Sequence, residues 1–148
     1  MSSNKLLTIG FTRKSAEQFF SKLCKAGAER LLDVRLNNIS QLAGFTKRDD
    51  LKYFLRTLLN IDYFHLLELA PSQEMLDRYK KQKGIDWAEY TARYLELLRE
   101  RRVEETLDQA LFQNACLLCS EDKPHHCHRR LAAEYLKSHW GNLQVIHL

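Results

Sequence analysis

Leu6-Leu-Thr-Ile-Gly-Phe-Thr-Arg-Lys-Ser15, and Arg30-Leu-Leu-Asp-Val-Arg35 fifteen positions past its end, decide the fold between them. Leu6 to Ile9 is a short apolar run and is predicted as a buried strand, with Gly10 to Lys14 as the turn that ends it. Ser15 then caps a helix. Ala16, Phe19, Phe20, Leu23, Cys24 and Gly27 follow the i, i+3, i+4, i+7 spacing of one buried face, and Gly27 supplies the stop. That spacing places Cys24 in the core. Arg30 to Val34 is the second strand, and it ends in the polar group Asp33, Arg35, Asn37 and Asn38.

Further along, a loop through Gly44 and Phe45 leads to Thr46, which with Asp49 resembles a capping box and starts a helix. Leu51, Phe54, Leu55, Leu58 and Leu59 give that helix its apolar stripe. Ile61 to Leu66 is a third strand. A helical segment over about 72–112 follows, broken near Gly84 to Asp86 and again at Arg101 to Val103, with Trp87, Tyr90, Tyr94 and Leu98 on one packing face. Ala115 to Cys119 is the fourth strand, Cys127 to about His139 a helix, and Leu143 to His147 a closing strand.

Strand and helix alternate, and the strands are continuous apolar runs, which indicates burial on both faces. The expected fold is α/β: one three-layer domain over residues 1–148, with a mostly parallel sheet of about five strands and helices on both faces. Right-handed crossovers then bring the turns after Ile9, Val34 and Cys119 to the carboxyl edge of the sheet, where open α/β folds bind ligands.

Composition agrees with a globular chain. Its 148 residues are 45% hydrophobic, with only five glycines and two prolines, enough apolar content for one core and too little low-complexity sequence for disorder. The start is too short of apolar residues for a signal segment, and no run approaches the roughly 18 residues of a membrane span. A cytoplasmic protein with no membrane partner is expected. The four cysteines, Cys24, Cys116, Cys119 and Cys127, are accordingly read as reduced thiols. The formal charge of +4 favours an anionic partner without naming it. Basic clusters at Lys80-Lys81-Gln-Lys83 and Arg99 to Arg102 are most simply solvated helix ends.

The chemistry concentrates between Cys116 and Arg130, where three cysteines, three histidines, a glutamate and two arginines bridge a strand and a helix. Cys127, His128 and Arg129 fall at the start of that helix, whose unpaired N–H groups and dipole favour an anion. A thiol there is biased towards thiolate, so Cys127 is the nucleophile candidate, Glu121 an acid, base or arginine orienter, and Arg129 a planar fork for phosphate or carboxylate. Thr8, Gly10, Thr12, Arg13, Asp33, Arg35, Cys119 and His128 are the expected ligand-binding residues around them. The bland alternative is a salt-bridge network of Asp33, Glu121 and the arginines that ties the loops together.

A metal is a further alternative. Cys116 and Cys119 mimic a Cys-x2-Cys pair, but three positions apart in a strand they point to opposite faces. Cys119, His125 or His126, Cys127 and His128 supply three or four donors instead. The adopted assignment nevertheless includes no metal and no cofactor. Cysteine phosphatases and sulfurtransferases need a cysteine-to-arginine loop of about six positions whose amides encircle the oxyanion, and neither Cys119 nor Cys127 stands at that distance from Arg129. No glycine-rich phosphate loop supports a nucleoside triphosphate or dinucleotide. His65 and His147 are expected to be hydrogen-bonded core histidines, and His139 to lie on a helix surface.

Thr8-Ile-Gly10, Asp33-Val-Arg35, Leu118-Cys-Ser-Glu121 and His126-Cys-His-Arg129 together resemble the bacterial and archaeal family catalogued as domain of unknown function 488. The likeness runs from about Leu6 to Leu148. Many members resemble Thr-Ile-Gly-His-Ser at the first turn and carry a proline and further arginines after Asp-Val-Arg. Here Phe11-Thr12 and Leu36-Asn37-Asn38 stand in those places, so a first-turn histidine is absent and the second turn offers an anion only Arg35 and backbone amides. The expected partner is an anionic small molecule or nucleic acid, bound by a monomer or weak homodimer. The rival is a non-catalytic module that binds nucleic acid or protein through its basic helices.

Overall fold

In a computed structural model of the chain, which describes residues 4–38, 44–81, 87–120 and 127–148 (79–81 by backbone alone), five strands form one parallel sheet. They are β1 (Asn4–Gly10), β2 (Arg30–Asp33), β3 (Asp62–His65), β4 (Ala115–Cys119) and β5 (Leu143–His147), in the order β3-β2-β4-β1-β5. The helices are α1 (Ala16–Ala26), α2 (Arg48–Phe54, continued by a π-helical turn over Leu55–Leu59), α3 (Gln73–Lys81), α4 (Trp87–Arg101), α5 (Val103–Thr106) and α6 (His128–Trp140). The fold is the expected α/β class.

Each central strand serves two cores, which is why its sequence is mostly apolar, with Thr8 and Asp33 as buried polar exceptions. Leu7, Ile9, Leu31, Cys116 and Leu118 pack with Phe19, Phe20 and Leu23 of α1 and Leu51 of α2 on one face. Leu6, Leu32, Ala115, Leu117 and Cys119 pack with Tyr90, Tyr94 and Leu98 of α4 and Leu131, Ala132 and Leu136 of α6 on the other. Consecutive side chains alternate between the two sides with the strand period of two. Cys116 and Cys119 therefore do face opposite cores. The Trp87, Tyr90 and Tyr94 rings stack in succession, with centroids 5.2 and 6.4 Å apart, and so form a packing stripe.

Local signals fix most boundaries. Ser15 and Gln18 form a reciprocal capping box on α1, and Gly27 ends it with φ at 73°, a left-handed conformation that costs a side-chain-bearing residue. Three expectations fail. Cys24 is exposed, as is Ala16, because the buried face of α1 is only Phe19, Phe20 and Leu23 wide. Leu58 is likewise exposed, since the helix is regular only to Phe54. Thr46 does not cap α2; Lys47 holds the N-cap position without a side-chain bond, and Thr46 is buried with its carbonyl turned to Arg35. The breaks expected near Gly84 to Asp86 lie outside the described residues. Among the described residues no helix is long and apolar enough to cross a membrane.

Candidate functional site

The strand order sets a topological switch point at one place on the carboxyl edge. β1 and β4 are neighbours, with Ile9 opposite Leu118 and Gly10 opposite Cys119. After β1 the chain turns to α1 on one face, and after β4 it reaches α6 on the other. Two adjacent parallel strands whose continuations part to opposite faces form a topological switch point, the place where such sheets bind ligands. Thr12 ties the two exits together, its backbone N–H and its hydroxyl both donating to the Ser120 carbonyl at 3.0 and 2.5 Å. Arg13, next in the turn, is exposed and left-handed with φ at 64°.

α6 starts at this switch point. Cys127 is its N-cap residue in extended conformation, and its side chain makes no capping bond. Arg129 is fully buried, and its Nε donates to Thr8 Oγ1 at 3.3 Å. Thr8 Oγ1 in turn meets His147 Nδ1 at 2.5 Å. His147 is thus hydrogen-bonded as expected, though it lies on the surface instead of in the core. Partial burial and the neighbouring charge of Arg129 hold its imidazole below the ordinary histidine value.

Beside this lies a second cluster. His128 bridges three elements: its Nε2 meets the Val34 carbonyl at 2.8 Å, its Nδ1 faces Cys119 Sγ at 3.7 Å, and the Tyr94 ring packs edge-on at 5.5 Å. Burial alone would lower its pKa, yet the Cys119 sulfur and the Val34 carbonyl outweigh that and raise it. Cys119, Cys127 and His128 bring their donor atoms within 4.8 Å of one another, all three residues buried. Cys127 is only 2% exposed, and burial followed by the Cys119 sulfur drives its thiol well above the ordinary value. The expected bias towards thiolate is reversed, because desolvation outweighs the helix start and Arg129.

Asp33 and Arg35 form a third, closed group. Arg35 grips the Asp33 carboxylate through Nε at 2.9 Å and NH2 at 2.8 Å, and its own backbone N–H donates to Oδ1 at 3.1 Å. NH2 also donates to the Thr46 carbonyl, and the guanidinium lies over the Phe11 ring, 5.3 Å from its centroid. The Tyr63 hydroxyl donates to Asp33 Oδ2 at 2.5 Å and accepts from Asn38 Nδ2 at 3.0 Å. Burial, then the Asp33 charge, pushes the phenol up. His65 Nε2 lies 2.7 Å from the Arg35 carbonyl, the hydrogen-bonded role expected of it, and His139 is exposed on α6 as expected.

Thr8, Gly10, Thr12, Cys119, Cys127, His128 and Arg129 are therefore gathered at the β1/β4 strand ends, while Asp33 and Arg35 pair at the end of β2 on the same edge. Glu121, His125 and His126 lie outside the described residues. Tyr63, Asn38 and His147 join the site without having been singled out for it. The parallel register puts His147 beside Thr8, and Tyr63 reaches Asp33 across the β2/β3 pair, neighbours that no local spacing encodes.

No curated protein and no solved structure matches the chain significantly. The family model described as Domain of unknown function DUF488 matches residues 15–136, and the chain belongs to that family.

Proposed function

We propose that the β1/β4 crevice binds an anionic, phosphate-bearing ligand, a nucleotide or a nucleic-acid phosphate. The observation that carries this is the placement of a fully buried guanidinium, Arg129, in the first turn of α6 at the sheet's switch point. The start of a 13-residue helix supplies N–H donors and a positive dipole end. A cation held at depth in low-dielectric surroundings attracts an anion more strongly than one on the surface. Thr8 fixes the direction of Arg129, and the exposed Arg13, next to Thr12 in the same turn, is a candidate second, outer cation.

Arg35 is committed to Asp33 and the Thr46 carbonyl, so its part in this reading is to shape the neighbouring turn. The Cys127 thiol, buried and held in its protonated form, has no support as nucleophile from its surroundings.

The test is calorimetric titration with inorganic phosphate, a nucleoside monophosphate and a short single-stranded oligonucleotide. Binding of phosphate, competition between phosphate and nucleotide, and a loss of roughly tenfold or more on Arg129→Gln are expected, since a charge-assisted contact contributes about 1.5–3 kcal/mol. Arg13→Ala, an exposed substitution that leaves the fold intact, should weaken binding by a smaller factor. Oligonucleotide binding with steep salt dependence that ignores both substitutions would favour the basic helices as a nucleic-acid surface and refute the crevice.

A further inference from the structure

We propose that Cys119, Cys127 and His128 hold one zinc ion between the end of β4 and the start of α6. Three donors from two elements converge there: the last residue of the strand, the N-cap of the helix and the helix's first residue. Their donor atoms lie within 4.8 Å of one another and all three residues are buried. Zinc–sulfur bonds of about 2.3 Å and zinc–nitrogen bonds of about 2.0–2.1 Å at tetrahedral angles put a sulfur and a nitrogen ligand about 3.6 Å apart. Cys119 Sγ and His128 Nδ1 are 3.7 Å apart.

The imidazole is already set for ligation. A carbonyl can only accept, so the 2.8 Å contact with Val34 puts the proton on Nε2. In the neutral ring Nδ1 then presents its lone pair towards the two sulfurs. A ligating histidine whose other nitrogen donates to a backbone carbonyl is the usual outer-shell arrangement of a zinc site, and the Tyr94 ring against His128 holds its orientation. On binding, the two thiols release their protons to solvent and coordinate as thiolates; no electrons are transferred. Two thiolates cancel the charge of a divalent ion, which lets the centre sit in low-dielectric surroundings. Sulfur donors select zinc over magnesium or calcium. Three protein ligands leave a fourth position for water or another donor.

The site is independent of the anion reading, which is measured by phosphate binding. The full chain, purified in reductant without added metal, should contain about one equivalent of zinc, within the ligand set such sites use. Replacement by cobalt(II) should give the near-ultraviolet sulfur-to-cobalt band of a dithiolate site. Zinc added to metal-free protein at neutral pH should release about two protons per ion. Cys24→Ser should change none of this, whereas Cys119→Ser and Cys127→Ser should each abolish stoichiometric zinc. Should those variants fail to fold, the cobalt spectrum and proton count of the unaltered chain decide alone. Unaltered protein that holds no stoichiometric zinc and gives no thiolate–cobalt band, or that isolates with Cys119 and Cys127 joined in a disulfide, overturns the proposal.

Discussion

Replacing Asp33 by alanine removes the acceptor for four donors at once: Arg35 Nε, NH2 and backbone N–H, and the Tyr63 hydroxyl. Asp33 is fully buried and Arg35 is 5% exposed, so among the described residues the guanidinium left behind keeps only the Thr46 carbonyl and the Phe11 ring face. Removing one partner of a buried ion pair typically costs about 3–5 kcal/mol, most of it the uncompensated charge. With a urea m-value of about 2 kcal/mol/M for a chain of this size, the unfolding midpoint should fall by about 2 M. The double variant Asp33→Leu, Arg35→Met removes both charges and should recover most of that loss, since an apolar pair of similar volume is often neutral. Urea titrations followed by far-ultraviolet circular dichroism on the wild type, Asp33→Ala, Asp33→Leu, Arg35→Met and the double variant measure this coupling. A midpoint shift below about 0.5 M for Asp33→Ala, or a double variant no more stable than either single one, would refute the argument that this pair works as a closed structural bracket.

Three further outcomes are expected. Stability should decline above about pH 9, because the buried Tyr94 phenol and the Cys116 thiol are both raised by burial and stay protonated when folded while their unfolded counterparts ionise. The unfolded state then binds fewer protons, so the unfolding free energy falls as pH rises; Tyr135, pushed up to about 12 by burial and by Glu104, adds to the trend. A urea midpoint that is unchanged between pH 8 and pH 10 would contradict this. Alkylation of the folded protein should modify Cys24 quickly and Cys116, Cys119 and Cys127 only as the chain opens, since Cys24 alone of the four is exposed; mass spectrometry over time distinguishes one fast site from several. Gly27→Ala should cost about 1 kcal/mol despite the open space around its Cβ, because the cost is the left-handed backbone and not a clash; thermal unfolding reads it as a drop of about 2–4 °C.

The architecture was legible because a strand buried on both faces leaves an unbroken apolar record. Leu6 to Ile9, Arg30 to Val34 and Ala115 to Cys119 can be read as parallel strands without knowing which core each residue meets. Strand order was not legible: β4 enters between β2 and β1 only because the long helical passage after β3 returns the chain to the centre, and local spacing carries no trace of that. Helical stripes were read too wide, since i, i+4 and i+7 positions at the stripe's edge can lie at the rim of the contact; Cys24 and Leu58 are the instances. Thr46 shows a different limit. Its sequence suits a cap, but the buried Arg35 claims its carbonyl, and tertiary demand overrides the local preference.

The reactive segment stands out by its density of chemical groups, and the thiolate bias expected of Cys127 fails where burial decides the sign. A thiol at a helix start becomes a thiolate if water reaches it, whereas Cys127 at 2% exposure meets the opposite balance. The same enclosure that weakens Cys127 as a free nucleophile strengthens it as a ligand, because a metal supplies the charge that water cannot. The two arginines differ on similar grounds. Arg35 is consumed by a carboxylate two residues away, a pairing visible in the sequence as Asp33-Val-Arg35. Arg129 is oriented by a hydroxyl contributed from the far end of the chain's order, Thr8, which exists as a neighbour only after β1 and β4 have paired. Substituting Arg35 should therefore act first on stability, and substituting Arg129 on ligand affinity; equal loss of both properties in both variants would mean that the edge behaves as one undivided network.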